Sequence, residues 1–273
     1  TLITDGYDLL IGTGGLHIHG YLNAADNSPH TTRITLSGSW LASGTGGFIP
    51  GSSTVLFDGT SGVHEITASG SFYRMVFSGT GATWTATGTF LDINGGLTVS
   101  AGTFIAPDII TLSGSFLNGA SGTFTHHSGS VVLNGLDQTL SGSTVFFKLS
   151  KTGSTAQTLT FAADAQQSIS GSLILKGTSA SNRLSLRSSN SGIAAKLYVD
   201  VGSKKEFEYL DVQDIDASPG VVLTCTTECV NSGNNTGWNF DTIVGTAYSD
   251  EGVTPLASVT VAMSLNGGAV TDT

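Results

Sequence analysis

The sequence predicts an all-β fold, a parallel β-helix (β-solenoid), on three observations: an octapeptide that returns, short alternating strands fenced by turn residues, and very sparse charge. ITLSGSWL at 34–41 comes back as ITLSGSFL at 110–117, at an offset of 76. At that offset 34–59 aligns with 110–135 over 26 positions with 12 identities, and Trp40 is answered by Phe116. The same offset pairs GGLTVSAG (95–102) with GSLILKGT (171–178), while SGSFYRMVFS (69–78) meets SGSTVFFKLS (141–150) at a slightly shorter one. A period sustained across most of a chain marks stacked units that bury their apolar faces against one another. A sandwich or barrel gives each strand its own place and supplies no cause for such an echo.

Taken in chain order, the strand signals are STVLFDG (53–59), FYRMVFS (72–78), LTVSAGTF (97–104), SVVLNG (130–135), STVFFKLS (143–150), SLILKG (172–177) and NRLSLRS (182–188). These runs alternate apolar with polar residues and are fenced by Gly, Ser or Asn-Gly turns. No capped window carries the 3.6-residue apolar period of a helix. With about 20–25 residues per coil, the echo spans three or four coils and the stack about ten; at about 4.8 Å per coil the rod is roughly 50 Å long. Val, Ile, Leu and Phe are expected inside, Gly and Asn at corners that need φ > 0, and Thr and Ser outside or in corner ladders. The stretch NAADNSPHTTR (23–33), with Pro29 and His30, reads as a loop leaving the rod.

Composition excludes several functions. Charged residues are 11% of the chain, against about 25% in an ordinary soluble domain. The net charge of −10 repels phosphate backbones and anionic lipid, so neither nucleic acid nor membrane is an expected partner. No apolar run is long enough to span a bilayer. Before Lys148 the only cations are Arg33 and Arg74; the other eight lie from Lys148 to Lys205. The chain opens without Met and closes in mid-pattern at GGAVTDT, so a longer or processed polypeptide is expected. Cys225 and Cys229, in CTTEC, are too few for a disulfide scaffold and lack the soft companions of a metal site. A local disulfide is the expectation.

Beyond Leu175 the pattern changes. Tyr209-Leu210-Asp211-Val212-Gln213-Asp214 is followed by Ser232-Gly233-Asn234-Asn235-Thr236-Gly237-Trp238. This block resembles the closing segment of large secreted bacterial β-helix surface exoproteins and adhesins, a resemblance that with the preceding coils covers roughly residues 30–240. It implies a solenoid domain over 1–240, an extracellular or cell-surface location, and Trp238 and Phe240 as a cap on the open end of the core. From Asp241 the chain resembles the first strands of a carboxypeptidase-regulatory-like (Ig-like) module, carried by Ile243, Gly245, Ala247, Asp250 to Gly252, Pro255, Leu256 and Val259 to Val261. Residues 241–273 are too few to close a seven-stranded sandwich, so an incomplete module is expected.

The densest chemistry is the acidic group Asp200, Glu206, Glu208, Asp211, Asp214 and Asp216 among Arg183, Arg187, Lys196, Lys204 and Lys205. β-Helix polysaccharide lyases pair carboxylate-bound Ca²⁺ with a Lys or Arg base, so here a lyase would work; the same alternation also describes a salt-bridged outer face. Asp211, Asp214 and Asp216 are the candidate ligands of a structural Ca²⁺, and no residue is assigned as catalytic. His17 and His19 share one strand face at a zinc-compatible spacing but lack a third ligand. TWTAT (83–87) and TLT (158–160) echo the Thr ranks of ice-binding solenoids, but occur too sporadically for a continuous face. No GxSxG and no phosphate loop is present. The functional expectation is a non-enzymatic structural or adhesive rod, requiring no cofactor, whose partners are copies of itself, further domains of its own chain, or cell-surface glycans; the alternative is a carbohydrate-active β-helix enzyme.

Overall fold

The computed structural model describes residues 1–25, 31–43, 47–225 and 227–240. The chain divides into two units, Thr1–Phe240 and Asp241–Thr273; the Ig-like segment and the tip of the 23–33 loop lie outside the described residues. The first unit is all β, a parallel β-solenoid of about eleven turns, slightly more than the ten the echo suggests. Each turn has three strand-bearing faces, here called I, II and III in chain order.

Face II is the most continuous. Its strands are Leu9–Ile11, Arg33–Leu36, Thr54–Phe57, Arg74–Phe77, the start of Leu97–Ile105, the start of Phe116–Thr125, Gln138–Ser141, Gln157–Phe161, Leu184–Ser188, Leu210–Gln213 and Val230–Gly233. Face I runs through Leu2–Ile3, Tyr21–Asn23, Gly47–Ile49, Phe90–Ile93, Ile109–Leu112, Ser130–Leu133, the second halves of Thr144–Thr152 and Gln166–Lys176, and Lys204–Glu208. Face III carries Leu16–Ile18, Trp40–Ala42, Gly62–Thr67, Ala82–Thr87, the ends of the strands at 97–105 and 116–125, the first halves of Thr144–Thr152 and Gln166–Lys176, then Ala195–Val199 and Ile215–Asp216. Turns along face II differ in length: Leu97 is already answered by Phe116, whereas Leu159 is answered only by Leu186.

The echo is real but is not what a whole-turn repeat would give. Ile34–Leu36 lies on face II and Trp40–Leu41 on face III, with Ser37-Gly38-Ser39 turning the corner between them. Ile110–Leu112 lies on face I and Phe116–Leu117 on face II, with Ser113-Gly114-Ser115 at that corner. The offset of the echo therefore spans three turns and two faces of a fourth. One arc, strand–SGS–strand, is thus used at two different corners, so the echo does not build the same corner and core layer twice. Both middle glycines are forced by close stacking. A Cβ on Gly38 would fall 2.5 Å from the Thr13 carbonyl oxygen, and one on Gly114 would fall 2.2 Å from that of Gly95.

Alternation places the apolar side chains inside, where like stacks on like. Phe57, Phe77 and Phe104 form a face-to-face column with centroids 4.7 and 4.4 Å apart, and Trp84 packs on it. Trp40, Phe48 and Phe72 form a second cluster, and Phe116, Phe124 and Phe146 a third. Beyond it the core is mostly aliphatic, with Leu149, Leu159, Leu173, Leu184, Leu186, Leu197 and Leu210 all fully buried beside Phe161 and Phe207. Each such side chain contributes about 1.5–3 kcal/mol by leaving water.

The corner argument predicts that Gly114→Ala destabilises the protein by about 1–3 kcal/mol through overpacking against backbone. Gly12→Ala, where nothing lies within 4 Å of the added Cβ, should leave stability unchanged or raise it by up to about 1 kcal/mol. Equilibrium urea unfolding of the two variants reads the difference.

Candidate functional site

The acidic C-terminal residues are drawn into the last three turns as staples. Asp211, on face II, accepts a 2.6 Å ion pair from Arg187 of the turn before and a hydrogen bond from the Ser232 hydroxyl of the turn after. Asp214 sits at the next corner with φ 59° and is buried. It accepts from the Gly192 amide at 3.1 Å on one side and from Asn234 Nδ2 at 2.6 Å on the other. Asp216, on face III, accepts from the amide and hydroxyl of Ser218 and from the Thr236 hydroxyl. Burial alone would raise the Asp216 pKa, but those hydrogen bonds and the charge of Lys196 hold it below the usual carboxylate range.

This geometry explains the closing pattern of the sequence. Ser232, Asn234, Asn235 and Thr236 reach back one turn to Asp211, Asp214, the Val212 carbonyl with the Ile215 amide, and Asp216 respectively. The two halves of the pattern are each other's hydrogen-bond partners. The three candidate Ca²⁺ ligands occupy face II, a corner and face III, each engaged by protein donors. Among the described residues no three His, Cys, Asp or Glu gather into a group that could hold a metal.

On face I, Lys176 bridges Glu206 at 2.7 Å and Glu208 at 3.0 Å, and Lys204 also pairs with Glu206. Hydrogen bonds from Lys176 and Lys204 pull the Glu206 pKa down to about 2, and those carboxylates raise that of Lys176. The alternation read as a salt-bridged outer face describes these contacts. Cys225 and Cys229 are joined by a disulfide. Trp238 and Phe240 stack at 5.6 Å and Trp238 packs on Phe207 at 5.4 Å, so both lie against the end of the core.

His17 and His19 are exposed on one side of their strand, and His19 Nδ1 hydrogen-bonds the Ser43 hydroxyl. The Thr ranks are more regular than the sequence suggests. Thr83, Thr103 and Thr123 are in register on face III, as are Thr85, Ile105 and Thr125. The array continues into Val63 and Glu65 on the preceding turn, whereas TLT (158–160) lies on face II.

Two features escaped the sequence reading. Lys151 is fully buried, and its Nζ donates to the Gly135 carbonyl at 2.7 Å, the Leu136 carbonyl at 2.8 Å and Gln138 Oε1 at 2.8 Å. Three acceptors match the three protons of an ammonium, tying the eighth turn to a corner of the seventh. In KLSKT Lys151 falls on the inward phase set by Leu149, which is the signal that could have exposed it. The second feature is that Arg33 and Arg74, far apart in sequence, fall two turns apart in one file on face II.

Comparison of the chain with models of known protein families, with curated proteins and with solved structures finds no match. What is established is thus the fold, a parallel β-solenoid.

Lys151 gives a test. Burial pushes its pKa down to about 8, against the pull of Asp137. Between about pH 8 and the ordinary lysine value the unfolded chain binds more protons than the folded one, so stability is flat below pH 8 and rises with pH across that window. Lys151→Met should abolish the rise. At pH 7 it should also cost about 1–3 kcal/mol, because the ammonium's three acceptors lose that donor and the one at Gln138 is buried. Urea denaturation from pH 7 to 10.5 measures both effects.

Proposed function

We propose that this chain is a non-enzymatic structural and adhesive rod of an extracellular or cell-surface assembly. The observation that carries the reading is the use of the polar chemistry in the last turns. Asp211, Asp214 and Asp216 accept from both neighbouring turns or from their own corner, and Glu206 and Glu208 are paired with lysines. Side chains committed to holding turns together stiffen a rod, whereas a general acid or base must be free to exchange a proton with substrate. A stack with a continuous core and surfaces of Thr, Ser, Asn and Gly suits a spacer that makes many weak contacts in parallel.

Partners follow from the ends and faces. Among the described residues the first-turn strands Leu2–Ile3, Leu9–Ile11 and Leu16–Ile18 each pair with one neighbour, and their other edges suit further coils of the same chain or another copy. The long faces suit glycans. An extracellular place for the rod agrees with the Cys225–Cys229 disulfide, since disulfides persist in oxidising compartments. Neither a cofactor nor calcium enters this proposal.

The competing reading, a carbohydrate-active β-helix enzyme, is separated by turnover. Incubation with polyuronates and neutral polysaccharides, with and without Ca²⁺, should yield neither new reducing ends nor the ultraviolet absorbance of unsaturated uronate. Depolymerisation that is lost on substituting any of the C-terminal carboxylates would replace the rod with a lyase or hydrolase.

A further inference from the structure

Arg33 and Arg74 are the only cations before Lys148, and the coil brings them to one place. Each is the register partner of Thr54, so they stand on one file of face II, two rungs or about 9.6 Å apart at the usual strand spacing. Both are exposed. With Thr31, Thr54, Leu56 and Val76 they line an open groove of about 390 Å³. Arg74 also borders a second groove, of about 460 Å³, walled by Tyr73, Asn94, Thr98, Ser113 and Ser115 and reaching Ser141. The two grooves meet at Arg74 and make one trough along the stack, from the second turn to the seventh.

Among the described residues no carboxylate pairs with either guanidinium. The ion pairs among the described residues all involve Lys176, Arg183, Arg187 or Lys204. The nearby Asp8 carboxylate accepts the backbone N–H of Arg33 at 2.9 Å, not its guanidinium. A guanidinium presents a planar fork of donors that matches carboxylate or sulfate. Around the two forks stand hydroxyls and an amide, groups that exchange hydrogen bonds with sugar hydroxyls, and a half-buried tyrosine. The separation of the two backbone positions is close to the length of a disaccharide in an extended chain.

We propose that the face II trough binds an acidic polysaccharide, with Arg33 and Arg74 each taking an anionic group on sugars one disaccharide apart. This deepens the adhesive-rod reading and rests on it. Each contact is exposed and weak, and adhesion arises when many rods engage one polymer.

The test is affinity electrophoresis of the whole chain through gels carrying alginate, dextran sulfate or neutral dextran. Retardation is expected with alginate or dextran sulfate and not with dextran; the two charged polymers tell carboxylate from sulfate as the anion recognised. Arg33→Ser and Arg74→Ser should each weaken binding by about tenfold, the loss of one charge-assisted pair, and added salt should weaken that of the wild type. Lys204→Ser, on another face, should bind as the wild type does. Both arginines are exposed, so circular dichroism should show the variants folded; Arg33→Lys, which keeps the charge but loses the fork, should fall between. Retardation unchanged in the double arginine variant, equal on neutral dextran, or absent on both charged polymers would overturn the proposal. Alginate that is bound and shortened would leave the site standing and sink the rod reading; neither charged polymer bound and neither shortened would do the reverse.

Discussion

Everything in the solenoid unit depends on one constraint: parallel strands hydrogen-bonded at about 4.8 Å force each residue to lie directly over its register partner in the next turn. Inside, the constraint favours like on like, because two identical flat side chains fill the layer spacing without a void; Phe57, Phe77 and Phe104 do this. At the corners it brings backbone onto backbone, which is why the SGS arcs have Gly at their centres. On the outside it turns scattered residues into files. The ranks of Thr on face III and the pair Arg33 and Arg74 on face II are both products of register, not of proximity in sequence.

The same stacking makes charge costly in the middle of the rod and useful at its end. A charged residue in the interior must find its partners within one layer spacing, and Lys151 does so by spanning from one turn to the corner of another. In the last turns polar staples also join one turn to the next. Asp211 and Asp214 each hold three turns together, and Trp238 and Phe240 lie against the exposed end of the core. The C-terminal turns spend their charges internally, while among the described residues Arg33 and Arg74 form no ion pair.

Fold class was legible because alternation and echo are local signals. ITLSGS is a strand and a corner whichever face it occupies, and its recurrence reports a coil without reporting which corner is being turned. The phase was not legible. Turns as short as Leu97 to Phe116 and as long as Leu159 to Leu186 share one face and break any fixed period, so the offset of the echo could not be resolved into whole turns or faces. Asp211, Asp214 and Asp216 were found as a cluster, but their partners lie a turn away in both directions, and only register reveals that Ser232 to Thr236 engage them. Arg33 and Arg74 were counted as isolated cations for the same reason: their separation along the chain means nothing until it is known to be two turns.

Register is therefore the claim to measure. Thr35, Leu56, Val76, Thr98 and Leu117 form one outward file on face II, each the partner of the next. Spin labels on Thr35→Cys and Leu117→Cys should be separated, by double electron–electron resonance, by a narrow distribution centred near four rungs, about 19 Å at the usual strand spacing. A broad distribution, or a separation far from four rungs, would contradict the stacked three-faced coil on which the trough, the staples and the rod all rest.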